Sequence, residues 1–250
     1  DNPVGTGPWR VIAWKRKDYM RFERYEHYWG DIPLCQYLRL QVIPEGAARI
    51  AALKSGEVHL IEAVPPADAS LLVQEARVQV RSGVQKLLCR LYLNGRLHDQ
   101  YDSGGQDGLF RDPKVRLALN LAIDREGMIK KILYGYAHSN ASPVSSVSYG
   151  YAAQEPYPYD VARAKALLAE AGWRDRDGDG IVDKAGQRLS LELLFPVKHY
   201  GQGFDEMTPA VVEMLKAVGL EVTIKPVDFD TLLETVRKGT LPPNGGFAAC

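Results

Sequence analysis

Hydrophobic positions repeat with the period of a helix in two stretches of the chain, residues 110–125 and 157–173. In the first, Val115, Ala118, Leu119 and Ala122 fall on one face, behind Asp112 as cap and Pro113 in the first turn, where a missing N–H costs nothing. Asp124 caps a further helix. In the second, Asp160 is the cap, Val161, Ala164, Leu167, Leu168 and Ala171 form the stripe, and Gly172 takes the left-handed position after it. Period-two patterning marks the strands. Residues 9–14 and 19–25, rich in aromatic and β-branched side chains, flank Lys15-Arg16-Lys17-Asp18 and predict a β-hairpin. Leu38, Leu40 and Val42 alternate with Arg39 and Gln41 and predict a half-buried strand. Residues 47–54 predict a helix that stops at Gly56, residues 58–61 a short strand, and residues 67–76 a helix after Pro65-Pro66.

Farther on, strands are expected at 87–94, 189–195 and 222–226, helices near 204–218 and 228–238, and a surface loop at 99–108. The alternation of strand and helix makes this an α/β chain whose parallel or mixed sheets are flanked by helices.

Length and charge narrow the function. The 250 residues allow one large or two ordinary domains, and 31 basic residues cancel 31 acidic ones. That balance argues against a nucleic-acid or anionic-membrane partner, which would call for clustered positive charge. No apolar run approaches the roughly 20 residues of a membrane-spanning helix; the charge-free stretch 134–154 is rich in Ser, Gly, Pro and Tyr. Cys35, Cys89 and Cys250 are too far apart for a CxxC motif. They read as small buried hydrophobes or, for Cys89 and Cys250 in an oxidising compartment, as a disulfide.

One segment has the spacing of a metal loop. Asp175, Asp177, Asp179 and Asp183 occupy positions 1, 3, 5 and 9 of an EF-hand-like loop, Gly180 position 6 and the Ile181 carbonyl position 7. Gly186 stands where a bidentate Glu should close the shell, and a strand follows in place of an exiting helix. The loop is therefore either a weak structural Ca²⁺ site or a solvated turn, and no cofactor is required. The five histidines are isolated from one another and from the cysteines, which argues against a zinc centre. No Gly-x-Ser-x-Gly elbow and no His-Glu-x-x-His helix occurs, which removes the commonest sequence support for a hydrolase, and the expectation is a protein that is not an enzyme.

The order Phe110-x-Asp-x-x-Val-Arg-x-Ala-Leu-x-x-Ala-Ile-Asp-Arg125, then Tyr157-x-Tyr-Asp-x-x-x-Ala-x-x-Leu-Leu-x-Glu-Ala-Gly-Trp173, resembles the peptide/nickel-type solute-binding proteins of bacterial ABC importers. Asn2-Pro-Val-Gly-Thr-Gly-Pro-Trp9 with Tyr28-Trp29-Gly30 is similar to the family's opening hairpin. Leu53-Lys-Ser-Gly-Glu-Val-His-Leu60 is similar to a second family element, with His59 where Asp is usual. The resemblance implies a periplasmic-binding-protein-like (type II) two-lobe fold, here incomplete: part of lobe I in residues 1–84 and a truncated lobe II in residues 85–250.

It also implies a substrate-binding component that takes a peptide or similar small solute between its lobes and delivers it to a membrane permease. Such a protein is a monomer in the periplasm or outside the cell, with a lipid anchor as one way of holding it there. Ligand contacts are expected from strand ends and loops: Tyr92 and Asn94 at the end of the crossing strand, His199 and Tyr200 in the loop after strand 189–195, and Arg237 before the last strand. Two other classes stay open on the residues alone, a ligand-sensing domain of a regulator and a calcium-stabilised structural or adhesive module.

Overall fold

The computed structural model describes residues 4–84, 88–93, 109–196, 203–241 and 245–249. The chain separates into two compact units, Asp1–Val64 and Pro65–Cys250. The family resemblance implies a lobe boundary at 84/85; the two compact units divide at 64/65, and residues 65–84, with the buried Pro66, Ala69 and Leu72, fall in the second.

In unit 1, strands β1 (Trp9–Lys15) and β2 (Tyr19–Arg24) form the expected hairpin, and β3 (Tyr37–Gln41) pairs antiparallel with β2. The register aligns Trp14, Met20 and Leu40 across the sheet, and Val11, Phe22 and Leu38 next to them, so one face is apolar. Val11, Met20 and Phe22 are half-buried there, but β3 is not half-buried as its alternation predicts: Leu40 is 54% and Val42 50% exposed, with Trp14, in the same row as Leu40, at 62%. Periodicity tells which side chains share a face, not whether anything covers it. Helix α1 (Gly46–Ser55) ends as expected on Gly56, at φ 80°, whose N–H returns to the Leu53 carbonyl. No strand forms at 58–61. The Val58 N–H bonds the Ala52 carbonyl at 3.2 Å and stays with the helix end.

Unit 2 opens with α2 (Pro66–Leu72), shorter than expected because the Gln74 and Glu75 N–H groups close tight turns onto Leu71 and Leu72. Strand β4 (Arg90–Leu93) follows, then α3 (Pro113–Ala122), α4 (Arg125–Lys131) and α5 (Val161–Glu170). All three helices are capped as the sequence predicts. Asp112 accepts from the Lys114 N–H, Asp124 from Gly127 and Asp160 from Arg163, each at 2.8 Å. Such caps contribute about 1 kcal/mol each. Gly172 after α5 sits at φ 92°.

The chain then runs through a small hairpin, β5 (Asp183–Lys184) and β6 (Gln187–Arg188), into β7 (Ser190–Pro196), α6 (Phe204–Lys216), β8 (Glu221–Val227), α7 (Phe229–Lys238) and β9 (Gly245–Ala249). The sheet order is β4-β9-β7-β8, with β7 parallel to β8 and β9, and β4 antiparallel to β9.

Val115, Ala118, Leu119, Leu167 and Leu168 join Leu189, Leu191, Leu215 and Leu220 in one buried cluster, and Leu91 and Leu93 pack against it. The crossovers β7-α6-β8 and β8-α7-β9 run in opposite directions across the sheet. For right-handed connections this puts α6 and α7 on opposite faces: Leu215 of α6 belongs to the cluster, while the buried Leu232 of α7 lies outside it. The cysteines depart from the small-hydrophobe reading. Cys35 is free and exposed and Cys89 is disulfide-bonded; Cys250 lies outside the described residues. No described helix is long and apolar enough to cross a membrane.

Candidate functional site

The aspartate loop is positioned by two anchors, the end of α5 and the β5–β6 hairpin. One carboxylate oxygen from each of Asp175, Asp177 and Asp179 lies within 4.8 Å of the others. Their charge is largely spent on the chain itself. Asp175 accepts from the Gly178 and Gly180 N–H groups at 2.7 and 3.0 Å, Asp177 from Asp179 at 3.2 Å, and Asp179 from Ile181 at 2.8 Å. Arg188 on β6 holds the other Asp179 oxygen. Asp183 is not in the group of three: it starts β5 and pairs with Arg176 at 2.9 Å. Gly186, at φ 79° in the β5–β6 turn, offers no side chain to close a coordination shell. Three of the predicted ligands thus converge, and an arginine occupies the place where a cation would have to compete.

Of the expected solute contacts, Tyr92 lies on β4 and is 40% exposed, on the face opposite Leu91 and Leu93. Asn94, His199 and Tyr200 lie outside the described residues. Arg237 is exposed in the last turn of α7, where a cation complements the helix dipole. Helix α7 leaves the carboxyl end of β8 and returns to the amino end of β9, so Arg237 lies toward the amino end of the parallel strands.

A residue the sequence reading passes over, Arg90, stands on the same face as Tyr92. Its guanidinium donates to the Tyr92 hydroxyl oxygen at 3.5 Å and to the Pro143 carbonyl. The signal for it was in the sequence: Arg90 and Tyr92 alternate with Leu91 and Leu93, which marks a polar face on an otherwise apolar strand.

A recess of about 260 Å³ opens where the start of α4 meets residues 156–159, bordered by Asp124, Arg125, Ser139, Tyr157 and Tyr159. It is smaller than the roughly 300–1,000 Å³ of typical ligand sites. Its arginine is committed, because the Arg125 guanidinium donates to the Asn120 backbone and side-chain oxygens, both at 2.9 Å. Burial lowers the pKa of that guanidinium.

Residues 1–243 match the family model described as bacterial extracellular solute-binding proteins, family 5 Middle. The oligopeptide-binding protein AppA of Bacillus subtilis (strain 168) is 30% identical over 250 residues, 99% of this chain and 43% of that protein. The nickel-binding periplasmic protein of Escherichia coli (strain K12) is 28% identical over 248 residues, covering 95% of this chain and 44% of its own length. The chain therefore spans under half the length of the curated relatives it matches. Among solved structures, NikA from Brucella suis in complex with Fe(III)-EDTA superposes with a TM-score of 0.79 at 27% identity, over 98% of this chain and 47% of that one. The structure of AppA from Bacillus subtilis with a nonapeptide gives 0.65 at 29% identity over the same shares. Matched almost throughout in sequence and in fold, the chain belongs to family 5 of the bacterial extracellular solute-binding proteins, with the type II periplasmic-binding-protein fold.

Proposed function

We propose that the protein to which this chain belongs is the capture component of an ABC importer. It takes up a peptide or a comparably small solute in the periplasm or outside the cell, as a monomer, and hands it to a membrane permease without changing it chemically. The observation that carries this reading is the family match over residues 1–243. The relatives support the solute class: one is named for oligopeptides and solved with a nonapeptide, another for nickel and a third for glutathione. In unit 2 the parallel strands β7, β8 and β9 end together, and in open α/β sheets ligands bind outside the carboxyl ends of such strands. Binding shifts the protein toward its liganded conformation, and a permease that distinguishes the two conformations senses the load.

The test is a melting-temperature screen of the full-length protein against peptides of two to nine residues, glutathione and a nickel–histidine complex. A solute at about 100 times its Kd adds about 2.7 kcal/mol of stability, a readily measured rise. Saturable stabilisation by one of these is expected; a flat response to all of them sinks the reading.

A further inference from the structure

We infer that Arg90 recognises a carboxylate of the captured solute, with the Tyr92 hydroxyl beside it. This inference rests on the proposed capture function and assigns one contact of it. The first support is position. In β4, Leu91 and Leu93 pack against the core, so Arg90 and Tyr92 project from the other face. The register pairs Arg90 with Ala249, at the end of β9, and Tyr92 with Phe247, which itself pairs with Leu194 of β7. Pro196 and Val227 close β7 and β8 in one row of the same ladder. Arg90 therefore stands at the carboxyl edge of the parallel strands, the edge where open α/β sheets bind ligands. Strands β7 and β8 lead to helices on opposite faces, the topology whose carboxyl edge takes ligands in open α/β sheets, and β4 lies two strands from β7, about 10 Å away. A peptide of a few residues spans that distance.

Charge is the second support. Five arginines of this chain are paired with carboxylates, Arg10 with Glu23, Arg24 with Glu26, Arg163 with Glu170, Arg176 with Asp183 and Arg188 with Asp179, while Arg39, Arg49, Arg81, Arg116 and Arg125 donate to neutral oxygens close by in sequence. The half-buried Arg90 meets two neutral oxygens, those of Tyr92 and Pro143, and among the described residues no carboxylate. A guanidinium has five N–H donors, more than these two oxygens use, in the fork geometry that fits a carboxylate.

The third support is preorganisation. The Pro143 carbonyl that holds the guanidinium sits in a turn tied by Asn140, which donates to the Val144 carbonyl and accepts from the Ser142 N–H, both at 2.9 Å. Ser142 and Ser145 are buried in the same turn. A cation held in place before binding loses little freedom on meeting its anion.

The experiment uses the full-length protein and two pools of tri- to nonapeptides without Asp or Glu, identical except that one ends in a free carboxylate and the other in an amide. Calorimetry on the wild type should favour the free acids by tenfold or more. Arg90→Gln should weaken free-acid binding tenfold to a hundredfold, as expected for one charge-assisted hydrogen-bonded pair, and bring the two pools level; Arg90→Lys should fall between. Equal affinity of the wild type for both pools would overturn the assignment, and that comparison needs no variant to fold. So would an Arg90→Gln loss shared equally by both pools, the mark of an arginine that only braces the Pro143 turn. Failure of the wild type to bind either pool would instead count against peptide capture itself, and the carboxylate contact would fall with it.

Discussion

At the scale of single residues, aspartates cap four helices of unit 2, and Asp228 shows how pH reaches them. It precedes α7, accepts from the Thr231 N–H at 2.9 Å, and takes the Thr231 hydroxyl on its other oxygen. The Thr231 hydroxyl first, then the Thr231 N–H, hold its carboxyl below the ordinary 3.8. The folded value is the lower one, so the cap's contribution is fully present above the unfolded pKa and is lost as pH falls through the folded pKa. Asp228→Asn keeps an acceptor oxygen but not the charge. Chemical denaturation should therefore find the wild type more stable than the variant at pH 7, with the gap narrowing below about pH 4. A gap that stays constant down to pH 3 would mean that the charge plays no part in the cap.

The caps at Asp112, Asp124 and Asp160 are legible in the sequence because everything they need lies within three residues, and so are the helix stripes of α3 and α5. Arg90 was not singled out, although its alternation with Leu91 was visible. Its importance depends on which strand lies next to β4 and in which register, and pairing between residues 90 and 249 leaves no mark on local sequence.

Among the elements, the aspartate loop shows how a spacing can be right while the donors around it decide its use. Oxygen spacing predicts a cation site, and three carboxylates do come within 4.8 Å of one another. Arg188, brought over by the β5–β6 hairpin, takes an oxygen of Asp179 and also lies 3.7 Å from Glu221. Four backbone N–H groups fill much of what is left. For Ca²⁺ to bind with its usual six to eight oxygens, Arg188 would have to leave and water would have to fill the open positions. Titration with millimolar Ca²⁺ should leave the melting temperature of the wild type unchanged. A saturable rise with Ca²⁺ but not Mg²⁺ would show that the ion displaces the arginine. The elements themselves were read most accurately in unit 2, where a strand or helix has a core to face. The errors fall in short or open segments: residues 58–61 find no strand to pair with, and β3 has the alternation of a half-buried strand with nothing over Leu40.

Across the whole molecule, the two units differ in how much apolar surface each buries. Among the described residues, unit 1 contributes only Ala52 to the buried apolar set, and its three-stranded sheet leaves Trp14 and Leu40 open to solvent. In unit 2, by contrast, α3, α5, α6 and the sheet enclose a continuous cluster in which Ala118, Ala122, Ala164, Leu189 and Leu215 are fully buried. Apolar burial at roughly 25 cal/mol per Å² is the main favourable term in folding, and ion pairs as exposed as Arg10–Glu23 in unit 1 add at most about 1 kcal/mol. The 250-residue chain should therefore not unfold as one cooperative body. Native-state hydrogen exchange should show the amides of β1, β2 and β3 opening at a lower free energy than those of β7, α3 and α5, whose exchange should track the global unfolding of unit 2. Denaturant should move the two sets at different midpoints, with the smaller slope for unit 1, because slope follows the surface exposed. Equal protection of β2 and β7 at every denaturant concentration would show that the open sheet draws its stability from contacts that the buried set of unit 1 does not supply.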